Sequence, residues 1–125
     1  MALTSVANIL VQDLGGKIVY CLMEEAVSKG EVIVCKTDGK FAQSDAATHA
    51  LGVAMEDIAI NARGPVWMGK GIVWAYTAAS LSVGAGVIAG AAGQFVASAL
   101  GTNQQSAVIV DDTYVDTNYV QLMIL

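Results

Sequence analysis

Apolar residues along this chain fall in short runs rather than at helical spacing. KIVYCLM (17–23), EVIVCK (31–36), ALGVAM (50–55), GIVWAYT (71–77), SAVIVD (106–111) and YVQLMIL (119–125) are rich in Val, Ile and Tyr and are punctuated by turn residues. Such runs predict strands, because β-branched and aromatic side chains fit a pleated, half-buried surface. Leu14-Gly15-Gly16 and Asp38-Gly39 supply the turn chemistry between them. The pattern predicts an all-β fold, a small barrel or sandwich. One segment is ambiguous: Leu3, Val6, Ala7 and Leu10 match a helical face, whereas Leu3, Ala7, Ile9 and Val11 match a strand. Residues 1–25 are therefore read as an N-terminal arm and hairpin.

A second segment breaks the alternation. LSVGAGVIAGAAGQFVASAL (81–100) carries no charge and holds a GxxxG at Gly86 and Gly90, the length and motif of a membrane helix. An internal repeat argues otherwise. SKGEVIVCKTDGKFAQS (28–44) aligns without gaps on SVGAGVIAGAAGQFVAS (82–98), with Ser28/Ser82, Gly30/Gly84, Gly39/Gly93, Phe41/Phe95 and Ser44/Ser98 identical. One residue of slippage then sets VAMED (53–57) on VIVDD (108–112), and Met68 falls on Met123. The first copy carries Lys29, Glu31, Lys36, Asp38 and Lys40, so it reads as a hairpin with a solvated turn and not as a span. Its counterpart is then a hairpin turning at Ala91-Ala92-Gly93. The glycines agree, since each costs a helix about 1 kcal/mol relative to alanine. The chain is read as one domain: the arm and hairpin, a first β unit over 28–76 and a second over 82–125.

Charge sharpens this picture. The hydrophobic fraction is 55%, only 14% of residues are charged, and the net charge is −5. No basic cluster exists to neutralise phosphates, so no nucleic-acid partner is expected. All six basic residues lie between Lys17 and Lys70, and no charge occurs from Gly71 to Val110. A unit that loses its charges while keeping its pattern is expected to be covered by another protein, because polar groups are costly to bury without partners. Val83, Val87, Ile88 and Phe95 are the candidate partner interface on that neutral hairpin. The N-terminus lacks the basic and apolar regions of a secretory signal, and neither export nor a membrane partner is expected.

Candidate chemistry is sparse. His49 lies near Ser44 and Asp45, but three residues so close along one loop cannot orient one another as a catalytic triad requires. Gly84, Gly86 and Gly90 spell GxGxxxG, yet the repeat predicts a hairpin where a dinucleotide site needs a strand leading into a helix. Asp111, Asp112 and Asp116 offer oxygens for a cation without the glycine and distal glutamate of an EF-hand loop. Glu56 and Asp57 hold the matching place in the first unit, which favours a shared turn role. Cys21 and Cys35 sit among apolar residues and read as buried free thiols. Trp67, Trp74 and Tyr76 flank Gly69-Lys70-Gly71, across a hairpin or along one kinked strand, and serve either core or interface. No enzyme activity, cofactor or metal is expected.

The stretch AVSKGEVIVCKTDGKFAQSDA, followed by ALGVAMEDIAINARGPVWMGKGIVW, resembles the capsid decoration (head cement) proteins of tailed bacteriophages. The likeness rests on Gly30, Glu31, Asp38, Gly39, Leu51 to Ala54, Glu56, Asp57 and Gly64. It covers residues 26 to 76 well and 82 to 125 loosely, while the first 25 residues match nothing in the pattern. The resemblance implies a β-rich structural protein, made in the host cytoplasm and carried on the outer surface of the virion head. Its implied partners are the major capsid protein and itself, as a homotrimer, with the bound protein bridging capsid subunits. On this reading Leu3, Val6 and Ile9 are arm anchors on a neighbour. The rival is a receptor- or carbohydrate-binding β module, which requires an exposed aromatic platform.

Overall fold

The Val/Ile-rich runs form strands in the computed structural model, which describes residues 6–45, 50–78, 81–98, 105–116 and 118–125. One antiparallel sheet contains β2 (Lys17–Leu22), β3 (Val32–Cys35), β4 (Phe41–Gln43), β5 (Gly52–Ala54) and β6 (Arg63–Met68), in the order β2-β6-β5-β3-β4. The other contains β1 (Leu10–Asp13), β7 (Gly71–Tyr76), β8 (Gly86–Ala89), β9 (Phe95–Ala97), β10 (Ala107–Val115) and β11 (Tyr119–Ile124), in the order β1-β7-β11-β10-β8-β9. The ambiguous arm resolves as strand β1, paired antiparallel with β7 through Leu10↔Val73 and Asp13↔Gly71. Leu3 lies outside the described residues. The uncharged segment is the β8–β9 hairpin turning at Ala91–Gly93, and no helix among the described residues is long and apolar enough to cross a membrane.

Each sheet is one copy of the repeat, and this moves the unit boundaries. The ladder from Lys17↔Met68 to Leu22↔Arg63 in the first sheet recurs as Gly71↔Ile124 to Tyr76↔Tyr119 in the second. Val32↔Val53 and Ile33↔Gly52 recur as Gly86↔Val108 and Val87↔Ala107. Ile33↔Gln43 and Cys35↔Phe41 recur as Val87↔Ala97 and Ala89↔Phe95. The connecting bonds repeat too: Gly30 N–H donates to the Ala54 carbonyl at 2.8 Å, and Gly84 N–H to the Ile109 carbonyl at 2.8 Å. Both glycines have positive φ, 91° and 89°, so the same left-handed turn opens each hairpin.

Unit one thus spans Lys17–Met68 and unit two Gly71–Ile124. GIVWAYT opens the second unit instead of closing the first. The signal was present in Ile18-Val19-Tyr20 against Ile72-Val73-Trp74. Met68 is equivalent to Ile124, and Trp67, not Met68, to Met123. Asp111 and Asp112 lie within β10, beside its bulges, and not in a loop.

Trp67 and Trp74 are neither hairpin partners nor neighbours in one sheet. At Gly69-Lys70 the chain leaves one sheet for the other, and it makes the same passage at Leu14-Gly15-Gly16. The two corners are bonded together, with Gly16 N–H donating to the Lys70 carbonyl at 3.0 Å. Trp67 lies against this corner: a Cβ added at Gly71 would stand 2.6 Å from its Nε1, so only glycine fits beneath the ring.

The units pack head to tail. Ala75, Val87, Ile109 and Leu122 of unit two face the main core between the sheets, with Val32, Val53 and Trp67 of unit one opposite. Their unit-one equivalents Cys21, Ile33, Ala54 and Val66 point the other way, into a second core closed by Met23, Val27 and Ile58. The unit-one sheet is therefore apolar on both faces, which is why EVIVC and LGVAM read as continuous apolar runs.

Candidate interaction surfaces

The neutral hairpin was expected to face another protein; its core-facing side chains are instead covered within the chain, by the first unit. Val87, Ile88 and Phe95 are buried, and Val87 and Phe95 belong to the main core. The Ser44 hydroxyl donates to the Gly90 carbonyl at 2.6 Å, and Gly93 N–H donates to the Ser44 carbonyl at 2.9 Å. A Cβ on Gly93 would stand 3.1 Å from Gln43 Oε1 and 3.2 Å from the Cβ of Glu31. Its equivalent Gly39 has nothing within 4 Å. So Thr37-Asp38-Gly39-Lys40 turns wholly in water, whereas in Ala91-Ala92-Gly93 the two alanines are exposed and Gly93 alone is buried against unit one. Val83 differs from its three companions. It is 57% exposed on the turn that precedes β8.

Glu31 lies at this contact between units and is 7% exposed. Burial raises its carboxyl above the ordinary value of 4.5, opposed by Ser28 N–H, which donates to Oε1 at 2.6 Å. Its equivalent in unit two is Ala85. Burial likewise raises the Tyr119 phenol, whose ring stacks on Tyr76 with centroids 5.1 Å apart.

The arm is held within its own chain. Lys29 Nζ donates to the Val6 carbonyl at 2.8 Å, Val6 packs against the main core, and Ile9 is 1% exposed inside it. These two side chains serve this chain's core, so neither is free to anchor on a neighbour. Beside the arm, Ala7, Ile9, Leu10, Ile18, Tyr20 and Pro65 help to line a cleft of about 570 Å³, with Lys29 and Glu56 also on its wall.

The aromatic trio makes no platform. Trp67 is 3% exposed with Nε1 unpartnered, and Trp74 and Tyr76 are half-buried against the core. Cys21 is buried, with burial pushing its thiol up, but Cys35 is exposed at the end of β3, contrary to the sequence reading. Of Ser44, Asp45 and His49, the Ser44 hydroxyl donates to the Gly90 carbonyl and Asp45 pairs with Lys36 at 2.6 Å. His49 falls outside the described residues. Within β10, Asp111 Oδ1 accepts from Thr113 N–H at 2.9 Å. Among the described residues no group of three His, Cys, Asp or Glu side chains is placed to hold a metal ion.

No protein-family model matches the chain, and no curated protein matches it in sequence. Its fold is similar to that of the N base of the head fiber gp8.5 of bacteriophage phi29. The superposition has a TM-score of 0.70 at 15% identity, over 88% of this chain and 94% of that one.

Proposed function

We propose that this chain is a structural protein of a bacteriophage head, attached to the outer surface of the shell and bridging its subunits as a decoration protein does. The reading is carried by the fold shared with the phi29 head-fiber base across nearly the whole length of both chains. Further support comes from the resemblance of residues 26 to 76 to capsid decoration proteins. Attachment at many equivalent places on a shell lets modest contacts act together, because each contact after the first is effectively intramolecular.

The competing carbohydrate- or receptor-binding reading needs exposed stacked rings, and Trp67, Trp74 and Tyr76 do not provide them. The test is reconstitution. Purified heads of the parent phage that lack this protein are titrated with it, and bound protein is counted after sedimentation. Saturation at a fixed ratio to the major capsid protein, with raised resistance of the heads to heat, is expected. Absence of saturable binding overturns the proposal.

A further inference from the structure

Among the described residues, the pairing of the two units leaves one position filled in one sheet and empty in the other. β7, the outer strand of unit two, is covered by β1. β2 is its equivalent in unit one and lies at the edge of its sheet, with Ile18 50%, Val19 39% and Tyr20 64% exposed. Trp74 N–H donates to the Ile9 carbonyl at 2.9 Å, so the backbone of Trp74 faces the covering segment. Tyr20 occupies the place of Trp74, and its N–H and carbonyl therefore face outward, as do those of Ile18 two residues away. Pro65 agrees with this: it lies opposite Tyr20 with its carbonyl turned toward Met55, away from β2.

An edge with outward donors and acceptors, apolar side chains on both faces and only Lys17 as a guard is a template for another strand. We propose that its occupant is β2 of a second copy of this chain, docked antiparallel about a twofold axis at Val19. That register is self-complementary. Ile18 lies opposite the partner's Tyr20 and exchanges both backbone bonds with it, the symmetric pair does the same, and Val19 meets the partner's Val19 at a non-bonded site. Each pair matches apolar with apolar, and Ile18 opposite Tyr20 is the aromatic to β-branched combination that stabilises sheets. Lys17 meets Cys21, so no like charges are opposed.

Alternation places Ile18 and Tyr20 on the cleft side and Val19 on the other, so a partner strand would cover both exposed faces at once. The pair is independent of head attachment and is measured without heads.

The experiment is sedimentation equilibrium of the full chain, together with a symmetric cross-link. Wild type is expected to form a concentration-dependent dimer, and Ile18→Lys or Tyr20→Lys to weaken it by about tenfold or more, since each substitution enters the contact twice. Folding of these variants is checked by circular dichroism; the replaced side chains are exposed. In a Cys35→Ser background, Val19→Cys is expected to give a reducible dimer under mild oxidation. Opposed Cα atoms at a non-bonded site are about 4.5 Å apart, within disulfide reach. Ile60→Cys, also exposed, is expected to stay uncross-linked. A monomer at all concentrations, an oligomer insensitive to the lysine variants, or cross-linking no better at Val19 than at Ile60 overturns the proposal.

Discussion

Gly39 and Gly93 hold the same turn position in the two units, with φ of 81° and 72°, and they form a matched pair for measuring what the second turn touches. Alanine in a left-handed conformation costs about 1–2 kcal/mol, partly offset by about 0.4–1 kcal/mol from the stiffer unfolded chain. Gly39→Ala is therefore expected to destabilise by about 0.5–1.5 kcal/mol, because its new methyl meets nothing within 4 Å. Gly93→Ala carries the same backbone cost and also inserts a methyl 3.2 Å from the Cβ atoms of Gln43 and Glu31. Gln43 Oε1 can swing away, but those two Cβ atoms are fixed to the backbone of the first hairpin. Overpacking of this kind adds about 1–3 kcal/mol. Urea unfolding of the wild type and both variants, compared at equal slope, reads the difference directly. Equal losses at the two glycines would refute the idea that unit one is what covers the neutral turn.

Glu31→Gln tests the buried carboxyl. Its folded pKa lies above the unfolded 4.5, so the protonated form favours the fold. The contribution is fully present below pH 4.5 and is lost as pH rises through the raised value. The urea midpoint of Glu31→Gln relative to wild type should rise across that window and then level off; a flat difference from pH 4 to 8 would refute it. Phe95→Ala, at a fully buried side chain, is expected to cost about 3–5 kcal/mol, and Phe41→Ala, at its half-buried equivalent, clearly less by the same assay. Trp67→Phe should cost under about 2 kcal/mol, since removing the orphaned indole N–H, worth about 1–3 kcal/mol, offsets the space it leaves.

The hairpins were legible because their glycines are compulsory. Gly30, Gly39, Gly84 and Gly93 all need positive φ, and those four positions carried the alignment that turned a candidate span into strands. The strand β6 is missing from the apolar runs of the sequence, because it opens on Arg63-Gly64-Pro65. Pro65 is tolerated because its ring nitrogen points toward β5, whose ladder has already ended at Ala54. The corners were misread for a related reason. A glycine pair marks a change of direction, but only tertiary packing decides whether the chain returns along the same sheet or crosses to the other. Candidate surfaces were less legible still. Val87 and Phe95 are apolar whether a neighbour covers them or the chain does, and composition cannot distinguish the two.

Head-to-tail packing explains why two units with one ladder have such different charge. The face that carries Ala75, Val87, Ile109 and Leu122 is pressed on unit one, and the same face of unit one is closed by its own Met23, Val27 and Ile58. Equivalent positions thus meet different surroundings, so selection acts on them separately while the backbone bonds stay common. Glu31 is buried where the units meet, and its equivalent Ala85 is half-buried; Asp38 and its equivalent Ala92 are both exposed, and nothing in the structure explains that second exchange. The edges follow the same logic. The chain has one extended arm and two equivalent outer strands, and β1 takes the place beside β7. Unit one is left with an apolar edge that none of the described strands fills, and this is the place where its next contact is to be sought.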